Sequence, residues 1–519
     1  MTGPPTALTA GFLALARVVA GTLGPRPAVV LNQIGRGFEA LDDAATVVRR
    51  VVHLADPRLR AGASVLRDLV TAVGHRAGDG GATATVLARD IALAAHRMVA
   101  AGAAAVRVGD GILAATDIAV REIVARARPL TDETSLARLA RAAVTDDALA
   151  DVLGEMFDVL GPDGAVAVED VDVDCVDHEY LTGARFRGRP TDRAVLRHGT
   201  AELILTDAAV AIVLAPLTEF RDVAPIMEAG RGRPLLVVAP DITGEAATAL
   251  TMNLARGLPV YGAALTAASN EEDLADLAAL CSAAVLSEPG GRPAAAATAE
   301  DLGRVDRLTL GRAFLTVTVD EPDESRIKER LTRLAALGAA PNIGADDERR
   351  LWVARGRLAG RVGVLRVGGH TEVESALRRT HAAKAVRLLR GVATDGVVCG
   401  GGVALLDAVT AVRRAGEFVA DRDEQAGFEA VARGLQGPFL QLVRNGGRRE
   451  PRVALAAVQV GPPGLGYDVV GDRYADLAAI GVQDSAAVLR DATRAAGATA
   501  RLLVTAHQVV PVQRRGGHG

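Results

Sequence analysis

The stretch from Ala77 to Ala88 reads Ala-Gly-Asp-Gly-Gly-Ala-Thr-Ala-Thr-Val-Leu-Ala, a glycine-rich turn followed directly by an apolar run. Ala63–Arg76 before it has the pattern of a helix, and apolar residues at helical spacing continue after it to Met98. Glycines allow close backbone approach, and a helix N-terminus presents N–H groups to an anion. Asp79 would repel a phosphate unless a divalent cation lay between them. Without a Walker lysine, the stretch alone predicts either a phosphate site with Mg²⁺ or a plain helix–turn–helix connection capped by Asp79.

The composition indicates a large globular chain. Its 519 residues suffice for several domains, and its net charge of −4 gives no reason to expect a nucleic-acid partner. Cys175, Cys281 and Cys399 are widely spaced and odd in number, which predicts reduced thiols, not a disulfide or zinc framework. The apolar run Gly11–Gly21 contains Arg17 and is too short to span a bilayer. We therefore predict an amphipathic helix there, no membrane segment and a cytoplasmic protein.

Helical and α/β patterns succeed one another along the chain. The pattern is helical to about Ala127, becomes an alternation of short β runs and helices from Gly183, and is mainly helical again from Gly396. The two helical ends therefore predict one shared domain. The predicted segments are 1–127 and 396–519 for that domain, 128–182 and 369–395 for a small intermediate domain, and 183–368 for an α/β domain. Among the predicted strands are Ala28–Gln33, Leu203–Leu205, Ala211–Leu214, Leu235–Val238 and Val260–Ala264.

Five further motifs, taken in their order, resemble a known family. They are Thr22-Leu-Gly-Pro25, Gly161-Pro-Asp-Gly-Ala-Val-Ala-Val-Glu-Asp170, Gly400-Gly-Gly-Val-Ala-Leu405, Ala454–Asp468 and Gly481-Val-Gln-Asp484. No single motif is decisive, but their order and spacing resemble the group I chaperonins, the bacterial GroEL family, over nearly the whole chain. The resemblance implies a multidomain α+β fold: a discontinuous helical equatorial domain, a small intermediate domain and an α/β apical domain.

The resemblance also implies a site for ATP and Mg²⁺. The residues that it carries over are Thr22, Leu23, Gly24, Pro25, Asp79, Gly80, Gly81, Ala82, Thr83, Gly401, Asp468 and Asp484, with Asp79 as the Mg²⁺ ligand. Gly81 and Ala82 stand where the family has threonines, so two hydroxyl donors are missing. At about 1 kcal/mol each, their loss weakens binding without abolishing it. Locally, Thr22–Pro25 is also a helix-ending turn and Asp484 also a helix cap, and these alternatives stay open.

The implied catalytic positions are altered. The family positions its attacking water with an aspartate in the long helix that returns to the equatorial domain, and an ungapped count back from Gly400 puts Lys384 there. Asp43 keeps a second family carboxylate, while Asp42 beside it replaces a lysine. A lysine does not orient water as a base unless its pKa falls far, but it neutralises phosphate. We predict nucleotide binding with crippled hydrolysis; the alternative is that Lys384 pairs with Asp43 or Asp79 in an empty site.

The implied client-binding surface is weakened as well. In the family, two apical helices and a preceding loop capture non-native polypeptides and a co-chaperonin. Here Met227 and Met252 are the sizeable apolar residues at the matching helix positions, and the loop region Arg187–Val195 has none of the family's aromatics. The two methionines form an adaptable patch or simply pack inside.

Three functions compete at this stage. The first is a divergent ATP-binding chaperonin that forms a homo-oligomeric ring, binds non-native polypeptides and leaves a co-chaperonin open as a partner. The second is a structural or interaction paralogue without productive turnover. The third, an unrelated phosphate-ester enzyme, lacks an accompanying nucleophile, base or metal cluster. We also predict oligomer contacts near the N-terminus and through Leu31–Asp42, where an edge strand pairs with a neighbour.

Overall fold

The computed structural model describes most of the chain. The described residues are 7–25, 28–34, 37–41, 43–51, 56, 59–130, 133–141, 143–144, 146–161, 164–171, 173–181, 183–192, 202–265, 270–338 and 343–506. The chain forms two compact units. The first unit comprises Met1–Pro162, Asp172–Asp174 and Gly368–Gly519, and the second comprises Asp163–Val171 and Cys175–Val367. Both ends of the chain therefore belong to the same unit.

The helices are α1 (Ala7–Ala20), α2 (Ala44–Arg50), α3 (Arg60–Ala77), α4 (Gly81–Ala100), α5 (Ala105–Ala125), α6 (Glu133–Ala140), α7 (Asp147–Leu160), α8 (Phe220–Ala229), α9 (Gly244–Ala255), α10 (Asn270–Cys281), α11 (Glu324–Gly338), α12 (Ala345–Leu358), α13 (Glu372–Asp395), α14 (Val403–Gly416), α15 (Arg422–Gly434), α16 (Gly437–Asn445), α17 (Pro451–Val460) and α18 (Ala486–Thr505). Within the described residues, none of these helices is both long enough and apolar enough to cross a membrane.

The strands are β1 (Val30–Ile34), β2 (Gly37–Leu41), β3 (Ala165–Asp170), β4 (Val176–Leu181), β5 (Ala184–Pro190), β6 (Leu203–Val213), β7 (Leu235–Ala239), β8 (Val260–Leu265), β9 (Val285–Leu286), β10 (Gly303–Leu310), β11 (Phe314–Thr318), β12 (Val362–Val367), β13 (Val397–Cys399), β14 (Leu465–Asp468), β15 (Arg473–Asp476) and β16 (Gln483–Ser485).

The first unit is a bundle of alanine-rich helices drawn from both ends of the chain. α18 packs against α4 and α5, and α1 packs against α3 and α4. Small residues allow this close packing: a side chain at Gly62 of α3 would collide with the backbone of α1 at Leu8. The Thr9 hydroxyl of α1 donates to the Leu503 carbonyl of α18 at 3.4 Å, so the two ends of the chain meet directly. These contacts form the main apolar core of the unit, and a smaller cluster lies between α14, α16, α17 and β14.

The second unit is built on a seven-stranded sheet in the order β10-β11-β5-β8-β7-β6-β9. β10 also pairs with β6, so the sheet curls round on itself. α8 and α9 pack on one face, over β6, β7 and β8. α10, α11 and α12 contribute to the apolar core on the opposite face, which also takes in β5, β10 and β11. A smaller sheet places β12 between β3, to which it is parallel, and β4, to which it is antiparallel.

Several sequence expectations differ from the structure. The predicted strands Leu203–Leu205 and Ala211–Leu214 are parts of one long strand, β6, which ends at Val213. This strand continues through Asp207 although that residue has a left-handed backbone (φ 48°). Arg187–Pro190, expected in a loop, lies in β5. Residues 193–195 of that predicted loop, and Asp42, lie outside the described residues. All three cysteines are free thiols; Cys281 is buried as predicted, whereas Cys175 and Cys399 are only half-buried.

Candidate functional site

The glycine-rich stretch forms a tight turn between α3 and α4. Gly78 ends α3 with φ 79°, and Gly80 precedes α4 with φ 94°; both are left-handed values that glycine adopts without strain. No side chain caps α4. The interpretation of Asp79 as the cap of this helix is therefore wrong. The hydrogen-bond ladder of α4 begins with Ala84 N–H donating to the Gly80 carbonyl, so the first-turn N–H groups have no partner inside the helix.

Three distant segments pack tightly on this turn. A side chain at Gly78 would meet the carbonyl oxygen of Lys384 in α13, and one at Gly80 would meet Val488 in α18. One at Gly81 would lie 3.6 Å from the methyl group of Ala44, the first residue of α2. The turn is therefore enclosed by backbone and small side chains from α2, α13 and α18, which explains why three of its residues are glycines.

Lys384 and Asp43 form an ion pair beside the turn. The Lys384 ammonium lies 3.2 Å from Oδ1 of Asp43, and the two side chains are 23% and 38% exposed. Asp43 also caps α2, because its Oδ2 accepts hydrogen bonds from the N–H and the hydroxyl of Thr46. Burial by itself would raise the pKa of Asp43, but the Lys384 charge and the Thr46 hydrogen bonds outweigh it and hold that pKa below its usual value. The pairing with Asp43, which the sequence left as an alternative, is the arrangement observed.

Asp484 is a neighbour of Asp79. It lies in β16, paired in register with Val398 of β13. Burial raises the pKa of Asp484 to about 7, and the negative charge of Asp79 adds to the shift. Ser485, not Asp484, caps α18, since the Ser485 hydroxyl accepts from Val488 N–H at 3.5 Å. The cap interpretation of Asp484 is therefore wrong, and two carboxylates meet at the N-terminal end of α4.

The segment Thr22–Pro25 reaches the same region. The Thr22 hydroxyl donates to the Val19 carbonyl at 2.8 Å, as expected of a turn that ends α1. Leu23 packs with Ala82 and Val86 of α4 and with Leu442 of α16. Asn445, which was not predicted, ends α16 and anchors this segment. Its amide donates to the carbonyls of Ala20 at 2.9 Å and Leu23 at 2.8 Å.

The glycine run at Gly400 opens α14. Gly401 and Gly402 have φ values of 66° and 80°, and a side chain at Gly401 would meet Leu477. Asp468 has a local role in the hairpin of β14 and β15, where its carboxylate accepts from the N–H groups of Val470 and Gly471. The nucleotide roles of Gly401 and Asp468 stay predictions.

A divalent cation would have few protein ligands here. Within the described parts of the chain, no three His, Cys, Asp or Glu side chains are grouped to hold a metal ion. Asp79 and Asp484 nevertheless fit Mg²⁺, which is usually bound by one or two carboxylates together with substrate phosphates and water. Thr83 is half-buried in the first turn of α4, whereas the Thr85 hydroxyl turns back to the Gly81 carbonyl at 2.8 Å.

A groove of about 600 Å³ lies along α9 in the second unit. Its apolar lining includes Phe220, which is 53% exposed, and Met252, which is 50% exposed. Met227 instead packs against the core under α8 and α9, and its sulfur accepts from the Asn253 amide at 3.4 Å. Of the two methionines at the matching positions, Met252 is therefore exposed in the groove and Met227 packs inside, and Phe220 adds apolar surface outside those positions. Phe220 was missed because it is the first residue of α8, outside the positions compared.

Three features together define the chaperonin class of fold. They are a helical unit formed by both ends of the chain, a glycine turn packed against α13, and a sheet that closes on itself beside the groove along α9. The chaperonin gp146 from the bacteriophage EL 2 (Pseudomonas aeruginosa), in presence of ATP-BeFx, is similar in fold, with TM-scores of 0.70 for crystal form I and 0.61 for crystal form II. Each match is 18% identical and covers 96% of either chain. The predicted multidomain α+β fold is thus confirmed.

Sequence comparison gives the family. The model of the TCP-1/cpn60 chaperonin family matches residues 15–185 and 221–514. The chain belongs to this family.

Proposed function

We propose that this chain is a divergent member of the group I branch that binds ATP with Mg²⁺ and assists protein folding as a homo-oligomeric ring in the cytoplasm. One observation carries the proposal: in a chain of the chaperonin family, segments from both ends and from α13 pack on one glycine turn. Non-native polypeptides are its clients, and a co-chaperonin is an open partner. The three-domain division, with hinges near Pro129, Gly183, Gly368 and Gly396, is part of the proposal.

Nucleotide binding is supported by the donors and charges at the turn. The first N–H groups of α4 are available to phosphate oxygens, and the positive end of the helix dipole favours an anion there. Burial is the main reason that the pKa of Asp484 is raised, and repulsion by the negative charge of Asp79 raises it further. Bound Mg²⁺ would supply positive charge between these carboxylates and the phosphates. Binding of the metal–nucleotide complex therefore relieves a repulsion within the protein.

Slow hydrolysis is supported by Lys384. The carbonyl oxygen of this residue lies against Gly78, and its ammonium lies 3.2 Å from Asp43, so Lys384 contacts both the turn and Asp43. An ammonium offers no acceptor to align an attacking water. Asp43, the candidate catalytic carboxylate, is occupied by Lys384 and Thr46. Lys384 and Asp43 are therefore better placed to bind and neutralise charge at this site than to activate a water molecule.

Calorimetric titration of the full-length protein with ATP, with and without Mg²⁺, tests nucleotide binding. We expect ATP to bind, and Asp79→Asn to reduce affinity for the Mg²⁺ complex by about tenfold, the loss of one charge-assisted ligand. Asp68→Asn, an exposed position of α3, is the matched control and should leave affinity unchanged. A folded wild-type protein that binds no ATP would contradict the proposal.

The second candidate is a structural paralogue without foldase activity. It is favoured by the Lys384–Asp43 pair and by the packing of Met227 inside, which leaves Phe220 and Met252 as the main apolar contacts of the groove. Suppression of client aggregation distinguishes the two functions. A foldase should lose protection with Met252→Glu and keep it with Leu337→Glu, which changes an exposed residue of α11 outside the groove. A protein that binds ATP but protects no client supports the paralogue.

A further inference from the structure

Arginines line one outward face of the sheet in the second unit. In β5, Arg185, Arg187 and Arg189 alternate with buried residues, and Arg187 and Arg189 are exposed. The register of the sheet places Arg187 opposite Phe314 of β11. We call Arg185, Arg187, Arg189 and Arg307 the arginine face.

Arg307 of β10 joins this face through β11. It pairs in register with Thr318, and Thr316 two residues earlier pairs with Arg185. Phe314, Thr316 and Thr318 are half-buried, whereas the residues between them point into the core. The exposed side of the three strands therefore carries four guanidinium groups among threonines and one phenylalanine.

These charges are only partly matched within the chain. Arg185 lies 3.8 Å from Glu169 and Arg189 lies 3.6 Å from Asp241, both near the outer limit of an ion pair. Among the residues that the structure describes, no ion pair involves Arg187 or Arg307. The face is thus basic in a chain whose net charge is −4.

The pairing of β5 determines how a partner can approach. β5 pairs with β11 through Ala184–Arg187 and with β8 through Gly188–Pro190, so both of its neighbours in the sheet order are strands of this chain. A partner that is recognised by the arginine side chains lies across the face of these strands. Alternate residues of a strand lie about 6.7 Å apart, the same spacing as the carboxylates of an extended segment with an acid at every second position. Guanidinium groups bind such carboxylates in two-pronged fashion.

The aromatic residue on the face argues against single-stranded nucleic acid. Base recognition in sequence-tolerant sites uses open aromatic rings as stacking platforms. Here the guanidinium carbon of Arg185 lies 3.8 Å from the centre of the Phe314 ring and covers it. The face therefore offers charge without a free stacking surface.

We propose that the arginine face binds acidic, extended polypeptide segments, and so selects clients by charge. The inference rests on the proposed function in one respect, that the bound segment belongs to a client. The contact itself needs neither nucleotide nor the groove along α9. At the arginine face, clients are bound by charge, and this binding takes over part of the role of the apolar client-binding surface.

Fluorescence anisotropy with the full-length protein tests this directly. The probes are a labelled twelve-residue peptide of alternating Glu and Thr, the same peptide with Gln for Glu, and a single-stranded RNA of equal length. We expect the Glu peptide to bind and the Gln peptide and RNA to bind at least about tenfold more weakly. Combined Arg187→Gln and Arg307→Gln should weaken Glu-peptide binding about tenfold, since exposed charge pairs contribute up to about fivefold each. Arg304→Gln, on the same strand but paired with Asp207 at 2.9 Å, is the matched control and should change affinity less than about twofold.

Three results would overturn the inference: no binding of the Glu peptide, equal binding of the Gln peptide or RNA, or the same loss from Arg304→Gln as from the double variant. If the Glu peptide fails to bind while ATP binds and Met252→Glu abolishes client protection, the inference fails and the proposed function stands. If the Glu peptide binds but ATP does not and no client is protected, the surface is real and the proposed function is wrong.

Discussion

Replacing Lys384 by aspartate should both destabilise the protein and raise its ATP turnover. The substitution removes the ion pair to Asp43, and because Asp43 is more than a third exposed, solvent screening limits that loss to about 1 kcal/mol. Repulsion between the two carboxylates and the lower helix propensity of aspartate add about 1 kcal/mol more. We therefore expect the free energy of unfolding to fall by about 2 kcal/mol, measured by denaturant titration followed by circular dichroism.

The same substitution restores an acceptor that can align water over the turn. A positioned general base contributes roughly 10²- to 10⁴-fold to a rate. Gly81 and Ala82 still lack hydroxyls, so we expect Lys384→Asp to raise Mg²⁺-dependent ATP turnover at least about tenfold over a very low wild-type rate. Lys384→Met is the matched control, because it removes the ion pair without adding a carboxylate. It should lose about 1 kcal/mol of stability and gain no turnover.

Two results would refute this reasoning. Robust Mg²⁺-dependent hydrolysis by the wild-type protein, unchanged in Lys384→Asp, would show that α13 does not govern turnover. Equal activation by Lys384→Met would show that the lysine inhibits by its presence and that the new carboxylate does nothing.

Three further predictions concern the same unit. Gly78→Ala should lower the free energy of unfolding by at least about 2 kcal/mol, because φ at this position is 79° and the new methyl group would meet the Lys384 carbonyl. Thermal melting measures this loss, and an unchanged melting temperature would contradict the packing described. Because the pKa of Asp43 is lowered on folding, its contribution to stability is present above its unfolded pKa and is lost as pH falls through the folded value. Melts at pH 7 and pH 3 should therefore show Asp43→Asn losing less stability on acidification than the wild type, and parallel losses would argue against the ion pair. Leu31 and Phe38 are 67% and 71% exposed on the hairpin of β1 and β2. If this hairpin contacts a neighbouring subunit, the double variant Leu31→Glu and Phe38→Glu should have a lower mass by light scattering. A wild-type protein that is monomeric at micromolar concentrations would argue against a ring.

The fold class could be predicted from the sequence because it depends on patterns that persist when individual residues are substituted. Periodic apolar positions and the order of the glycine motifs gave the helical ends and the inserted α/β region. Strands were harder. β5 and β10 carry arginines on their exposed side, so their burial pattern was hidden by charge, and β6 was divided by the polar pair Thr206-Asp207. Register and sheet closure depend on contacts between strands far apart in the chain, which one sequence does not reveal.

The candidate site was predictable in part for the same reason. Asp79, Asp484 and Lys384 were found by motif and by counting, and the structure brings Asp484 to Asp79 and the carbonyl of Lys384 to the turn. The partner of Lys384 could only be narrowed to Asp43 or Asp79, since helical phase alone does not determine where a long side chain ends. Asn445 and Phe220 were missed because each acts through its place at a helix end, which depends on the packing of neighbouring helices.

The meeting of the two chain ends has a consequence for how this protein is made. α18 covers α4 and α5 and carries the Val488 side chain that closes on Gly80, yet it is synthesised hundreds of residues after them. Until it arrives, the apolar faces of α4 and α5 that pack on α18 stay exposed, although α1 and α15 can already cover other faces of these helices. Such distant pairings also fold slowly, because the loop must close before any contact compensates for it. The nascent chain is therefore itself an aggregation-prone polypeptide for most of its synthesis, and any truncation before α18 should yield insoluble material.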